Sequence, residues 1–257
     1  MGTYSLAEDY DGDTALVTGG AQGIGRGIAE VLADLGCTVV INDVDSDTLA
    51  ETVADFQTEG MSSIGLEEDV FDPDEVDVLF DEIEDRFGNL DILVNNAAVI
   101  DSAAYNEITP DKWRRVLSVD LDGVHYCCSA GAPLLTDSEN GSIVNVASIA
   151  GQRISLLAGA HYTTAKWGII GLTKHIAEEY GPHEVRVNAV CPGPTETARI
   201  KDLVDSEQRE QIATEDIAMG RWVQPEDIGF AVAFLASRMA SFVTGTTLTI
   251  DGGFTIR

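Results

Sequence analysis

Residues 14–25 read TALVTGGAQGIG, and this stretch decides the fold of the chain. The apolar, β-branched run at 14–18 predicts a buried strand, and apolar residues repeat at helical spacing from Ile28 onward, which predicts a helix. The turn between them carries four glycines, and three of them, Gly19, Gly23 and Gly25, stand in the spacing Gly-x3-Gly-x-Gly. Glycines in a strand-to-helix turn let the backbone approach a pyrophosphate, which then lies at the positive end of the helix. The turn therefore predicts a dinucleotide site, with a ligand-free tight loop as the alternative.

Short β-branched runs and helical patterns alternate along the remaining chain. Strands are predicted at 37–42, 62–67, 91–96, 141–148, 184–190 and 246–250, and helices at 73–88, 111–132, 160–180 and 224–237. This alternation is typical of a parallel sheet covered on both faces. We therefore predict one α/β domain over residues 1–257, a doubly wound Rossmann-type fold with a seven-stranded parallel sheet. The polar, charged stretch 194–216 is predicted to be a substrate loop or lid.

The charge of the chain is strongly negative and unevenly placed. Its 257 residues hold 44 acidic and 15 basic side chains, a net charge of −29, and 18 of the acids fall between Asp43 and Asp91 with Arg86 as the one base there. Such a shell repels itself in dilute buffer, whereas at molar salt the screening length falls to about 3 Å. The composition resembles that of proteins from extreme halophiles with a salt-filled cytoplasm, and a cation-binding or DNA-mimicking surface is the alternative. The charge argues against nucleic acid or an anionic membrane as a partner.

Other features of the sequence bound the class of protein. No apolar run has the length of a membrane span, and the first residues lack the basic and apolar segments of a secretory signal. The four cysteines form no CxxC pair, and the four histidines show no metal-ligand spacing. We therefore expect a cytoplasmic protein with reduced thiols and no metal site.

Asp43 lies at the end of the second predicted strand. An acidic side chain at this place can accept hydrogen bonds from the ribose hydroxyls of an adenosine. The 2′-phosphate of NADP would be repelled there by the like charge of Asp43. Positions 22 and 44 are occupied by Gln22 and Val44, so neither supplies an arginine that could bind this phosphate. Asp43 therefore predicts NAD(H) as the cofactor. The alternative is that Asp43 is an ordinary surface acid with no role in cofactor binding.

Tyr162 and Lys166 lie four positions apart on a predicted helix, so their side chains share one face. A tyrosine with its ordinary pKa of about 10 is a poor acid or base near neutrality, but a neighbouring ammonium favours the phenolate. Ser148, at the end of the fifth predicted strand, is placed to hold a substrate oxygen by a hydrogen bond. These three residues are our candidates for catalysis. The alternative is that Tyr162 and Lys166 share a helix face by chance and have no catalytic role.

Together these motifs resemble the short-chain dehydrogenase/reductase family over essentially the whole chain. The glycine turn matches the family's TGxxxGxG motif, and Ser148, Tyr162 and Lys166 match its Ser…Tyr-x3-Lys arrangement. NNAA (95–98) is similar to its NNAG element, PGPTET (192–197) to its PGxxxT element, and Asp69-Val70 to an Asp-Val pair that meets the adenine. The resemblance implies that the cofactor is held by Gly19, Gln22, Gly23, Ile24, Gly25, Asp43, Asp69, Val70, Asn96, Ala97, Tyr162, Lys166, Pro192, Gly193, Thr195 and Thr197.

The sequence departs from the family pattern at two places. Ser148 and Tyr162 are 14 positions apart, one more than is usual, so we expect one extra residue in the loop between them. Asp120 stands where the family commonly has an asparagine. In relatives that residue helps to hold a water that links the lysine to solvent, chiefly through its main-chain carbonyl. Asp120 keeps the carbonyl and loses the amide donor, which puts its catalytic role in doubt.

The resemblance implies hydride transfer between the nicotinamide and the carbon of a secondary alcohol or ketone. In this reaction Tyr162 would exchange the proton, Lys166 would lower the pKa of Tyr162 and hold the ribose, and Ser148 would orient the substrate oxygen. We expect a sugar, a polyol or another small secondary alcohol as the substrate. A 3-oxoacyl-thioester reductase is the alternative enzyme, and a non-catalytic NAD-binding regulatory protein is the alternative of another class.

Two expectations concern the surroundings of the site. The residues expected to line the substrate pocket are Ala150, Ile154, Leu157, His161 and the loop 195–216, and none of them is an unambiguous anchor. No arginine is placed convincingly for a substrate carboxylate, and Arg153 and Arg199 are the candidates that stay open. Members of the family usually assemble through the helices that correspond to 111–132 and 160–180. The resemblance therefore implies a homodimer or a homotetramer.

Overall fold

A computed structural model describes residues 10–155 and 157–257, and its centre is a seven-stranded sheet. The strands lie in the order β3-β2-β1-β4-β5-β6-β7, and every neighbouring pair is parallel. The predicted fold class is confirmed. The strand bounds are β1 Thr14–Thr18, β2 Thr38–Asn42, β3 Ser63–Leu66, β4 Ile92–Asn95, β5 Ser142–Val146, β6 Arg186–Pro192 and β7 Thr247–Ile250.

Helices cover both faces of this sheet. Within the described ranges they are α1 Gly23–Asp34, α2 Ser46–Thr58, α3 Pro73–Phe87, α4 Pro110–Leu117, α5 Gly123–Thr136, α6 Ala160–Tyr180, α7 Ala198–Leu203, α8 Ser206–Gln211 and α9 Pro225–Ala236. One apolar core joins α1, α2 and α9 to the sheet, and a second core joins α3, α5 and α6 to its other face. Leu16 and Val17 are neighbours in β1 and belong to opposite cores, as the two-residue period of a strand requires.

The chain reverses its direction across the sheet between β1 and β4. From β1 it builds outward through β2 to β3, and it then returns to place β4 on the other side of β1. At such a switch point the loops that leave the carboxyl ends of the two strands diverge, and a crevice opens between them. The fold therefore positions a binding site where β1 and β4 end.

Two segments differ from their predicted shapes. The predicted helix 111–132 is divided into α4 and α5 by a π-helical turn, Ser118–Asp122. The stretch 194–216 holds α7, α8 and a second π-helical turn, Ile212–Asp216, so it is largely helical. A π turn holds one more residue than an α turn, and such turns occur mostly at functional sites. The first of them turns Asp120 into the protein interior, where the residue is 0% exposed.

The described residues also bear on three simpler expectations. No helix among them is long and apolar enough to cross a membrane. They hold no group of three or more side chains that could bind a metal ion, and their four cysteines are free and buried. The expectation about a secretory signal concerns residues 1–9, which lie outside the described ranges.

Candidate active site

A cleft of about 900 Å³ opens at the carboxyl ends of β1, β4, β5 and β6. The structure brings together along its wall every predicted cofactor residue from Gly19 to Thr197, and also Ser148, Tyr162 and Lys166. Asp120 is the exception, because it lies behind the wall and does not line the cleft. His161 does not line the cleft either, contrary to our expectation, because its side chain is fully buried.

The glycine turn between β1 and α1 has room for a ligand because it has no side chains. Gly19 has a φ of +60°, and a Cβ there would stand 2.9 Å from the Cα of Ala97. A Cβ at Gly25 would overlap the carbonyl of Gly19. The side-chain amide of Asn96 braces the turn by donating to the carbonyls of Thr18 and Gly19, both at 2.9 Å. The turn is thus held open at the amino end of α1, which fits a pyrophosphate.

Two aspartates mark the adenosine end of the cleft. The Asp43 carboxylate accepts hydrogen bonds from the main-chain N–H groups of Ala21 at 3.2 Å and Asp45 at 3.1 Å. It is therefore fixed where β2 ends, beside the glycine turn. Asp69 accepts from the N–H of Phe71 at 3.3 Å, and partial burial raises the pKa of Asp69. Its neighbour Val70 is buried at the same wall.

The opposite end of the cofactor site is formed where β6 runs into α7. Gly193 packs against Asp251, and a Cβ on it would come within 2.6 Å of the Asp251 Cβ. Thr195 forms an isolated parallel bridge with Val223, which fixes the loop after Pro192. Thr197 caps α7 through its hydroxyl and stands opposite the glycine turn, with its Cγ2 3.5 Å from the position of a Cβ at Gly23. Both predicted threonines therefore face the space that a nicotinamide carboxamide would enter.

Ser148, Tyr162 and Lys166 converge between these two ends. Ser148 follows β5 in an extended conformation, and its Oγ accepts from the N–H of Ala150 at 3.0 Å. The Tyr162 hydroxyl is hydrogen-bonded to the Ser148 side chain. Lys166, one turn further along α6, places its Nζ 5.4 Å from the centre of the Tyr162 ring and 3.3 Å from the carbonyl of Val146.

The Asp120 carboxylate is an unforeseen partner of this group. Its Oδ2 lies 3.3 Å from the Nζ of Lys166, and both side chains are almost completely buried. Its Oδ1 accepts from the N–H of Val99 at 2.8 Å. Burial raises the pKa of Asp120, whereas the Lys166 ammonium pulls it down. The sequence placed this residue in the site by resemblance, but the ion pair with the lysine followed from no pattern that we could see.

These neighbours act on the Tyr162 hydroxyl in opposite directions. Burial raises the pKa of Tyr162 above its ordinary value, Lys166 lowers it, the Asp120 carboxylate raises it, and the bond to Ser148 lowers it. We predicted the effect of the lysine correctly in sign, but burial outweighs it in the protein alone. For Lys166, burial opposes the charge, while Asp120 and Tyr162 favour it, so its pKa lies above the ordinary value.

His161 supports the start of α6 from the inside. Its Nδ1 accepts from the N–H of Tyr162 at 3.0 Å, so in the neutral ring the proton lies on Nε2. That atom is 3.6 Å from the Oδ1 of Asp101, whose other oxygen is 3.6 Å from the Nζ of Lys112. The ring therefore holds Tyr162 in place at its backbone and makes no contribution to the cleft wall.

Comparison with known proteins agrees with this site. A family model described as enoyl-(acyl carrier protein) reductase matches residues 19–255. The chain is 36% identical to the 3-oxoacyl-(acyl-carrier-protein) reductase FabG of Staphylococcus aureus, over 93% of this chain and 97% of that protein. It is 38% identical to the cis-4-hydroxycyclohexanecarboxylate dehydrogenase of Sinomonas cyclohexanicum, over 97% and 99%. The solved structure of Thermoplasma acidophilum aldohexose dehydrogenase superposes with a TM-score of 0.87 at 33% identity, covering 98% of this chain and 97% of that one.

The chain belongs to the short-chain dehydrogenase/reductase family. It is an oxidoreductase that acts on alcohols or ketones with a nicotinamide cofactor.

Proposed function

We propose that this protein is an NAD(H)-dependent dehydrogenase that interconverts a small secondary alcohol and its ketone. The observation that carries the proposal is the meeting of Ser148, Tyr162 and Lys166 in the same cleft as the glycine turn. This arrangement places a proton donor and a substrate-orienting hydroxyl beside a dinucleotide site.

The three side chains have separate roles in this proposal. A bound nicotinamide supplies or accepts the hydride. In oxidation the Tyr162 phenolate takes the proton from the alcohol and becomes the hydroxyl, and in reduction that hydroxyl gives its proton to the ketone oxygen. Ser148, already hydrogen-bonded to Tyr162, holds the substrate oxygen next to that hydroxyl. The ammonium of Lys166 stabilises the phenolate of Tyr162 through its charge.

Asp120 acts through the lysine and is therefore a positioning residue. Its carboxylate lies 3.3 Å from the Lys166 ammonium and keeps that group protonated and directed at the carbonyl of Val146. The same negative charge offsets the pull of Lys166 on the Tyr162 proton. We expect alcohol oxidation to be fastest at a more alkaline pH than it would be with an asparagine at this position.

Asp43 is the reason for preferring NAD to NADP. Its two backbone hydrogen bonds fix a negative charge beside the glycine turn, where an adenosine ribose would lie. A 2′-phosphate would be repelled there. We expect NAD to be preferred by about tenfold or more in kcat/KM, which is about 1.4 kcal/mol.

The substrate and its alternatives follow the relatives. The aldohexose and hydroxycyclohexanecarboxylate dehydrogenases support a sugar, a polyol or another small secondary alcohol. The Staphylococcus aureus relative supports reduction of a 3-oxoacyl thioester as the second candidate. The complete set of Ser148, Tyr162 and Lys166 speaks against a non-catalytic NAD-binding protein.

We also propose that the protein works as a homodimer or homotetramer in a salt-rich cytoplasm. The helices expected at the interface are α4, α5 and α6, and α6 carries Trp167 with 52% of its surface exposed.

The test is NADH formation from a panel of secondary alcohols in molar potassium chloride, with NAD and NADP compared side by side. The panel should contain sugars, polyols, alicyclic hydroxy acids and a 3-hydroxyacyl thioester. NADH formation with at least one alcohol, and a preference for NAD of about tenfold, is the expected result. Asp43→Ala should narrow that preference. Equal efficiency with the two cofactors would contradict the role of Asp43, and no turnover with any compound would contradict the enzyme.

A further inference from the structure

The wall of the cleft contains the guanidinium of Arg153, which lies over an aromatic ring. Arg153 lines the cleft five residues after Ser148, and its Cζ lies 5.4 Å from the centre of the Phe254 ring. Among the described residues, no carboxylate is within 4.0 Å of this side chain, and no acceptor takes any of its N–H bonds. In a chain with 44 acidic and 15 basic residues, an arginine without an acidic partner in the same cleft as Ser148 and Tyr162 points to a ligand.

Two other arginines line the cleft, Arg199 and Arg115, and of these Arg115 is also without an acceptor among the described residues. Arg199 stands on α7, and its Nη2 donates to the carbonyl of Ile100 at 2.7 Å, so it ties α7 to the loop after β4. Arg115 lies one turn before Val119, which borders one small cavity together with Val70.

Phe254 holds the Arg153 guanidinium in a useful orientation. The ring is buried, at 8% exposure, in a small core with Ile217 and Trp222. A guanidinium over an aromatic face keeps its N–H edge free, and that edge matches the two oxygens of a carboxylate. Arg153 is thus held at the wall by its contact with Phe254, and its N–H donors have no acceptor among the described residues.

The remaining wall at this end is mostly apolar. Ile154, Leu157 and Leu203 line the cleft with 72%, 41% and 53% of their surfaces exposed, and Trp222 and Phe254 lie beside them. A sugar or polyol needs a hydrogen-bonding partner for each hydroxyl that it buries. A hydrocarbon body instead gains from contact with such side chains.

From these features we propose that Arg153 is a carboxylate-binding residue and that the substrate is a compact hydroxy or oxo carboxylate with a hydrocarbon body. The carboxylate would pair with Arg153, the carbon skeleton would cover Ile154 and Leu157, and the reacting oxygen would meet Ser148 and Tyr162. The proposal rests on the dehydrogenase activity proposed above and narrows its substrate class.

Asp216 is the acidic side chain that opposes this assignment. It lines the cleft from the π-helical turn after α8, and it forms no ion pair with Arg153. Its carboxylate is exposed, so salt screens its repulsion of an anion more than it screens the contact with Arg153. Asp216→Asn should therefore strengthen the binding of a carboxylate.

The first test measures binding without turnover. Cyclohexanecarboxylate and the neutral cyclohexanecarboxamide are titrated into the enzyme–NADH complex, with NADH fluorescence as the readout and molar potassium chloride as the solvent. We expect the acid to bind about tenfold to a hundredfold more tightly than the amide. Arg153→Met, which keeps an apolar stem on Phe254, should remove that difference. Arg86→Met, which removes the same charge from an exposed site on α3, should keep it.

The second test uses turnover of cis-4-hydroxycyclohexanecarboxylate and its amide. Arg153→Met should raise KM for the acid by about tenfold or more, with kcat within about threefold of the wild type. Arg153→Lys should recover part of the loss. Equal binding and turnover of acid and amide by the wild type would overturn the carboxylate site alone, and this comparison does not depend on the folding of any variant. Acid-selective binding without NADH formation from any alcohol would overturn the proposed enzyme and leave the site intact.

Discussion

Lys166 and Asp120 form an ion pair that is almost completely buried, and each residue has one further partner in the backbone. Burial disfavours both charges, and each charge compensates the other at 3.3 Å. Asp120 has a second partner in the N–H of Val99, and Lys166 has one in the carbonyl of Val146. Loss of the carboxylate would therefore leave the ammonium buried with one carbonyl, and its effect on Tyr162 would grow.

Asp120→Asn should shift the pH profile of alcohol oxidation. Three titratable groups change the pKa of the Tyr162 hydroxyl through their charge: Lys166, Asp120 and Cys191 of β6. His161 in turn affects the pKa of Asp120. Because Asp120 raises the pKa of Tyr162, an uncharged asparagine should lower it and move the rising limb of kcat/KM towards acid by about one pH unit. The measurement is kcat/KM against pH for both proteins.

Asp122→Asn is the matched control for this prediction. Asp122 lies two positions further along the same turn with its side chain exposed, so its replacement should leave the profile in place. A shift towards alkali in Asp120→Asn, or no shift, would show that the carboxylate does not act on Tyr162.

The residues of the site differ in how far the sequence could predict them. Tyr162 and Lys166 are predictable from their spacing, because α6 is a regular helix in which four positions make about one turn. Ser148 is predictable from its place after β5 and from the family motif. The pairing of Asp120 with Lys166 depends on a π-helical turn, and a 3.6-residue period cannot specify such a turn. Arg153 and Phe254 are about a hundred positions apart and meet only in the folded chain.

The glycine turn is the element on which the cofactor site depends. Gly19→Ala places a Cβ at a φ of +60° and 2.9 Å from the Cα of Ala97. The backbone strain costs about 1 kcal/mol, and the contact must push β1 and β4 apart where the pyrophosphate would lie. We expect affinity for NADH to fall by about tenfold or more, a loss of about 1.4 kcal/mol, as measured by fluorescence titration.

Gly60→Ala is the control that separates the backbone strain of a positive φ from the steric contact with Ala97. Gly60 also has a positive φ, +83°, but a Cβ there meets nothing within 4 Å. This variant should lose a similar amount of stability in a thermal melt and bind NADH as the wild type does. If both variants bind NADH equally well, the close approach at Gly19 has no role in cofactor binding.

Helices and strands could be predicted where buried apolar side chains repeat at the spacing of a helix or a strand. The predicted strands lie within two residues of the observed ones at either end, since alternate residues of each serve opposite cores. Helix α2 was not singled out, because only Leu49, Thr52 and Phe56 of its 13 residues are buried. Helices α7 and α8 have six residues each and none buried, so the sequence read as a loop there.

At the scale of the molecule, the acidic residues form a shell around an ordinary core. Helix α3 buries Val76, Leu79, Phe80 and Ile83 and turns most of its acids to solvent. Among the described residues, its one ion pair joins Arg86 to Glu82. The unpaired charges repel one another, and unfolding moves them apart.

The melting temperature should therefore rise steeply with potassium chloride between about 0.1 M and about 1 M, where the screening length falls from about 10 Å to about 3 Å. At low salt, lowering the pH towards about 5 should partly replace salt, because protonation of some carboxylates removes part of their mutual repulsion. Light scattering reports the assembly state in the same series. A non-ionic osmolyte of equal osmolality is the control, and a melting temperature independent of salt would refute the halophile hypothesis.

The most direct measurement of the whole account is the turnover of Tyr162→Phe. This substitution removes one hydroxyl and leaves the ring, the glycine turn and Lys166 in place. NADH formation from the best alcohol of the panel should fall below about a hundredth of the wild-type rate, because the group to which the mechanism assigns the proton is removed. NADH itself should bind with unchanged affinity by fluorescence titration. A variant that keeps more than this rate would contradict the assignment of Tyr162 as the proton carrier, and with it the mechanism proposed for the cleft.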